Sequence, residues 1–130
     1  MQEDWAYPGR FEWSESLEHH HASQWLFFQA SGQGPYYGQL AWFTNYHPEK
    51  IPSAVERYKN EVNRVCRVLD TWLADKKWLV GEKMSYTDLS FVTWQKGVSK
   101  FEGVEAFPNL QRWMDRMRQL ESVKKMYAKV

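Results

Sequence analysis

Four groups of side chains in this sequence have types and spacings that could carry chemistry. They are His19-His20-His21 with the more distant His47, the single thiol Cys66, the glycines of Ser31-Gly32-Gln33-Gly34-Pro35, and the pair Ser85-x-x-Asp88. Histidines bind metal when their rings converge, but consecutive residues on a helix point about 100° apart. His47 stands too far off to complete a site, so no metal centre is expected. The histidine run is internal and shorter than a purification tag, and it reads as native sequence. Cys66 falls in the middle of a helical pattern, away from the electropositive helix start that would favour a thiolate, and is expected as a small buried residue. Gly32 and Gly34 lack both the preceding strand and the following Lys-Ser/Thr of a phosphate cradle. Ser85 and Asp88 have the spacing of a capping box, in which the hydroxyl and the carboxylate satisfy each other's backbone N–H. Their expected role is a structural cap, and catalysis is not indicated there.

The elements that must position these groups are all helical. Met84 and Leu89 sit at the staple positions around the Ser85 cap, and the run Leu89, Phe91, Val92, Trp94 is apolar on several faces, which predicts a central helix with neighbours on most sides. Residues 52–75 form the clearest amphipathic pattern, with Val55, Tyr58, Val62, Val65, Leu69 and Trp72 on one stripe, flanked by Cys66 and Leu73. Glu56, Lys59, Asn60, Asn63, Arg64 and Arg67 fall on its wetter faces. Residues 14–31 predict a helix capped by Ser14 or Ser16, with Leu17, Trp25, Leu26 and Phe28 on its buried side. The Ser31–Pro35 stretch loosens or kinks it, and Pro35 suits the first turn of a helix resuming toward Tyr46. His47-Pro48 marks its exit. Gly97 suits the C-terminal stop of the capped helix. Leu110, Trp113, Met114, Met117 and Leu120 line another helix, and a short basic one can use Ser122 onwards. No alternating strand pattern of any length appears. The expectation is an all-α bundle of five to six helices over residues 14–130, preceded by an extended arm at 1–13 carrying Trp5, Tyr7, Phe11 and Trp13 around Pro8-Gly9.

Composition narrows the function classes. The 130 residues suit one domain, and 43% hydrophobic content with a net charge of +1 allows a real core. Near-neutral charge gives no strong pull on nucleic acid or an anionic membrane. Eight tryptophans, seven tyrosines and seven phenylalanines are many for this length, which suggests either a heavily aromatic core or a pocket or interface lined by rings. One cysteine excludes an internal disulfide and fits a reducing compartment. With no apolar window of about 18 residues and no basic-then-apolar start, a soluble cytoplasmic protein is expected.

Trp78-Leu79-Val80-Gly81 followed by Ser85-x-x-Asp88 and an apolar run to Trp94 resembles the C-terminal helical domain of cytosolic glutathione transferases. Phe107-Pro108-x-Leu110-x-x-Trp113-x-x-Arg116-Met117 resembles the next helix of that domain. The stretch Trp25-Leu26-Phe27-Phe28-Gln29-x-Ser31-Gly32-x-Gly34-Pro35-x-x-Gly38-Gln39, continued by Ile51-x-x-Ala54-Val55-Glu56-Arg57-Tyr58, is similar to the fungal nitrogen-regulator (yeast prion) type and its bacterial disulfide-reductase relatives. The likeness covers roughly residues 17–130. It departs at Thr93 and Glu121, where the family often has proline. In the family a thioredoxin-like domain holds glutathione, and residues 1–16 are too few to encode even one βαβ unit of about 30 residues.

The resemblance implies that the helical domain contributes a hydrophobic pocket along its kinked helix. Carried over, Gln29, Ser31, Gln33, Pro35, Gln39, Phe43 and Trp94 are the candidate ligand-binding residues. Tyr36, Tyr37 and His47 are the candidate acid/base or orienting groups. The function so implied is a stand-alone helical domain binding a hydrophobic or aromatic small molecule. It could serve as a glutathione-independent cyclase, isomerase or dehydratase of secondary metabolism. The alternatives are a protein-interaction module or a truncated transferase supplying only the electrophile pocket. No cofactor is expected, glutathione being usable only with a partner domain. The apolar face that would pack on that domain is expected to be covered by the aromatic arm, Trp5 to Trp13, or by a second subunit in a homo-oligomer.

Overall fold

The computed structural model describes residues 16–128, and the aromatic arm expected at residues 1–13 lies outside them. The described residues contain no strand. Their α-helices are α1 Leu17–Phe28, α2 Gly34–Asn45, α3 Pro52–Trp72, α4 Tyr86–Gly97, α5 Pro108–Gln119 and α6 Glu121–Ala128. A π-helical turn, Gln29–Gln33, joins α1 to α2, and a 3-10 turn, Val98–Lys100, follows α4. Helix α2 packs along α3, α5 crosses α3, and α4 lies against α1, the π turn and α5.

Ser16 caps α1 by accepting from the His19 N–H at 3.2 Å. Trp25 and Ala22 are buried as a helical stripe, but Leu17, expected on that buried side, is 66% exposed. The break expected at Ser31–Pro35 is milder than an interruption: the chain stays helical through it. The Gly34 N–H reaches five residues back to the Gln29 carbonyl. Pro35 has no N–H to continue the ordinary ladder, so one turn widens to take an extra residue. The Ser31 hydroxyl donates to the Phe27 carbonyl at 2.6 Å, meeting a backbone acceptor beside the widened turn.

The α3 stripe is as the spacing predicts, with Val62, Val65, Cys66, Leu69 and Leu73 fully buried or nearly so. Asn63 departs from its expected wet face. It is buried because its amide oxygen accepts the Glu105 N–H at 2.9 Å and ties down the loop before α5. Helix α5 begins at Pro108 after Phe107, which has no capping side chain, and Asp70 of α3 supplies the missing acceptor. One Asp70 oxygen takes the Asn109 and Leu110 N–H groups at 2.7 and 3.0 Å, and the other takes the Asn109 side-chain amide at 3.1 Å. The helix end is thus capped from another helix.

The α4 cap is the expected one. Ser85 and Asp88 form a capping box, with the Asp88 carboxylate accepting the Ser85 N–H at 3.0 Å. The same buried carboxylate also accepts the Leu79 N–H at 3.0 Å and the Trp113 indole N–H at 2.9 Å. Phe91, Val92 and Gln95 are buried, but α4 is not enclosed on most sides as its apolar run predicts. Tyr86, Leu89 and Trp94 are 60%, 38% and 36% exposed. Gly97 is also not a left-handed stop: its φ is −81° and the chain runs on into the 3-10 turn.

Replacing either carboxylate tests these caps. Asp88→Ala would leave buried donors on three segments unpaired and should cost about 3 kcal/mol or more in urea unfolding. Asp70→Ala removes one helix cap and should cost about 1–2 kcal/mol. A smaller loss for Asp88→Ala than for Asp70→Ala would contradict the hub role given to Asp88.

Candidate ligand surface at the helix break

The side chains of α2 divide among three environments. Gly34 and Gly38, one turn apart, share a stripe facing the Trp94 indole of α4. A Cβ placed on Gly38 would lie 3.4 Å from the Trp94 ring, and one on Gly34 would lie 3.5 Å from its indole nitrogen. The two glycines let a large ring lie close over the helix backbone. Trp94 keeps 36% of its surface open, and Trp42, further along α2, keeps 48%. Pro35 and Gln39 are exposed, and Gln29 is half-buried beside Gly34. This is an open shelf with one broad ring and the Gln29 amide near it.

Tyr36, Phe43 and His47 lie on a different stripe, turned toward α3. Phe43 stacks on Tyr58 at 5.7 Å between centroids with planes 14° apart, and on His47 at 5.1 Å. Tyr36 leans on the same Tyr58 ring at 6.2 Å. The His47 ring nitrogen Nδ1 is engaged by the backbone of Glu49, 2.8 Å from its carbonyl. Tyr58, which the sequence placed only on the α3 stripe, is the ring that gathers this ladder.

Tyr37 and Gln33 belong to the core. Gln33 is fully buried, donating to the Phe91 carbonyl at 3.2 Å and accepting from the Gln29 amide at 3.3 Å. Tyr37 is fully buried with its hydroxyl 3.1 Å from Cys66 Sγ and 3.2 Å from Gln95 Oε1. Burial, then the neighbouring thiol, drives the phenol's pKa far upward. A phenol so enclosed is not placed to exchange a proton with a ligand. Tyr36, Tyr37 and His47 therefore do not converge on one point, and Ser31, exposed, spends its hydroxyl on the Phe27 carbonyl. Gln95 is a polar core residue that sequence reasoning missed. Its signal was one amide next to Trp94, two residues before a glycine.

The histidine run spreads as its spacing predicts. The His19 and His20 rings lie 6.1 Å apart, while His21 turns edge-on to Trp72 at 5.2 Å. Among the described residues, no three His, Cys, Asp or Glu side chains sit together as metal ligands. No helix among them is long and apolar enough to cross a membrane.

Comparison with known proteins places this geometry among relatives. The family model for the glutathione S-transferase C-terminal domain matches residues 35–121. The glutathione S-transferase-like protein gedE of Aspergillus terreus is 53% identical over 124 residues, covering 85% of this chain and 55% of that protein. The solved glutathione transferase URE2P6 from Phanerochaete chrysosporium, in complex with oxidized glutathione, is 45% identical with a TM-score of 0.82. That match covers 88% of this chain and 55% of the other. Ure2p in complex with S-hexylglutathione is 38% identical with a TM-score of 0.78, over 87% and 57% of the two chains. This chain spans about half the length of the relatives it matches.

The buried hydroxyl–thiol pair gives the fold an alkaline limit. Burial raises the pKa of both Tyr37 and Cys66 above their ordinary values of 10 and 9. The folded state therefore holds these protons more tightly than the unfolded state. Stability from this pair should be complete below pH 9 and fall as pH rises beyond it. Urea midpoints measured between pH 7 and 10.5 should show that decline, and Tyr37→Phe together with Cys66→Val should flatten it. An unchanged slope in the double variant would count against the pair as its source.

Proposed function

The chain belongs to the glutathione S-transferase C-terminal domain family, and on that premise we propose that it binds a hydrophobic, aromatic small molecule on the shelf formed by α2 and α4. The observation that carries this reading is the Trp94 indole lying over Gly34 and Gly38 while more than a third of it stays open. A flat ring offered beside a helix backbone, with the Gln29 amide near Gly34, suits a planar ligand that needs stacking and a polar anchor. The solved complex of the relative Ure2p with S-hexylglutathione supports an apolar ligand portion in this family.

The dispersal of Tyr36, Tyr37 and His47 favours binding and orientation over acid–base catalysis by those three. Any reaction assisted here would be one that shape and proximity advance, such as a cyclisation, isomerisation or dehydration of secondary metabolism without glutathione. Glutathione use would require a thioredoxin-like domain beside this one. A second reading, a protein-interaction surface, draws on the exposure of Phe27 at 77% and Tyr86 at 60%. A homo-oligomer covering those rings belongs to it, and sedimentation of the chain over a concentration series would reveal it.

Titration with 1-naphthol, followed by tryptophan fluorescence, tests the first reading. Saturable quenching is expected, weakened about tenfold or more by Trp94→Ala. Gly38→Leu should weaken it similarly by pushing the indole off the helix, and glutathione alone should give no saturable change. Equal affinity in the wild type and both variants, or tight binding of glutathione by this chain, would overturn the proposal.

A further inference from the structure

A second recess opens on another side of α4, between α3, the 3-10 turn and loop that follow α4, and α5. Its volume is about 380 Å³, toward the lower end of the roughly 300–1,000 Å³ that small-molecule sites occupy. Val98, Phe101, Val104, Phe107, Leu110 and Met114 make its walls apolar. The loop across it is held rather than loose, since the Glu105 N–H donates to Asn63 and the Glu105 carboxylate pairs with Arg67 at 2.8 Å. The charges lie at the mouth, and Arg118 there is already paired with Asp115 at 3.0 Å. Nothing charged stands in the interior to meet an ionic ligand.

Two polar side chains reach the recess from the core: Cys66, which is fully buried, and Gln95, which is 9% exposed. They close a ring of three hydrogen bonds with Tyr37. The Tyr37 hydroxyl donates to Gln95 Oε1 at 3.2 Å, and a Gln95 N–H donates to Cys66 Sγ at 3.6 Å. The Tyr37 hydroxyl and the Cys66 thiol lie 3.1 Å apart, where either can donate, and the thiol also faces Gln95 Oε1 at 4.0 Å. Each member of the ring is bonded to the other two. A primary amide carries two N–H groups, and the ring uses only one. The second N–H of Gln95 is the donor left over, at the wall of an apolar recess.

We propose that this recess is a binding site for a small, flat, uncharged ketone whose carbonyl oxygen accepts the free Gln95 N–H. The apolar walls take the ring system, and the buried Gln95 donor fixes its orientation while Ser99, Gln111 and Arg118 stay at the exposed rim. The absence of an interior charge selects against acids and amines. The site is separate from the Trp94 shelf and does not depend on ligand binding there.

The pair 9-fluorenone and fluorene isolates the carbonyl, because the two share a tricyclic shape and fluorene has a methylene in its place. Each is titrated into the ¹⁵N-labelled full chain. The ketone should shift the Gln95 side-chain amide and the Phe101 and Leu110 backbone amides, and bind about 5- to 10-fold more tightly than fluorene. Gln95→Met keeps the side-chain length without the N–H and should bring the two affinities together. Should that variant not fold, Ala106→Trp at the exposed mouth should abolish binding of both compounds. Equal affinities in the wild-type chain, or no saturable shift, would overturn the proposal. Shifts confined to Gly34, Gly38 and Trp94 would overturn it too, while leaving the shelf reading intact.

Discussion

A single buried carboxylate holds the arrangement together. Asp88 is completely removed from solvent, a costly location for a group of its kind unless donors replace the lost water. Its two oxygens collect the Leu79 N–H, the Trp113 indole N–H, the Ser85 N–H and the Ser85 hydroxyl. Those donors come from the connection after α3, the start of α4 and the middle of α5. One side chain therefore fixes the entry point of α4, the path of the loop leading to it and the rotation of α5. Everything that α4 displays depends on that anchoring: Phe91 in the core, Gln95 at the recess and Trp94 on the shelf.

The widened turn at Gln29–Gln33 is the second constraint. An extra residue in one turn rotates all that follows by about a quarter turn relative to a continuous α-helix. In α2 this brings Gly34 and Gly38 beneath Trp94, sends Tyr37 inward and lays Tyr36 and Phe43 toward Tyr58. Gln33 locks the rotation by bonding the Phe91 carbonyl of α4. The polar core ring of Tyr37, Cys66 and Gln95 then forms where three helices meet. Its hydrogen bonds are internal apart from the second Gln95 N–H, which explains how a phenol, a thiol and an amide share the core without charge.

Much of the architecture was legible before any coordinates. The period of Val62, Val65 and Leu69 marks the α3 core stripe, Leu110, Trp113 and Met117 mark that of α5, and Ser85 with Asp88 marks the α4 cap. The candidate site was legible as a region only. Tyr36 and Tyr37 are adjacent and chemically alike, yet one joins a partly open ladder and the other is sealed in the core. A 100° step around a helix is the whole difference, and sequence does not say which direction faces the neighbours. Asn63 and Leu17 went the opposite way to their polarity for a similar reason: a distant backbone N–H claimed one, and no neighbour among the described residues covers the other.

The sequence by itself determined the helices, their caps and the faces that recur along each, because these depend on contacts within about a turn and on patterns that repeat every three or four residues. Only the tertiary structure decided what each face meets. Asp88 reaching Trp113, Asp70 capping α5, Trp94 lying over two glycines of α2 and Gln95 closing a ring with Tyr37 and Cys66 all join residues 25 or more positions apart. Such contacts are set by how helices dock, and docking follows from the shape of whole surfaces rather than from the type of any one residue.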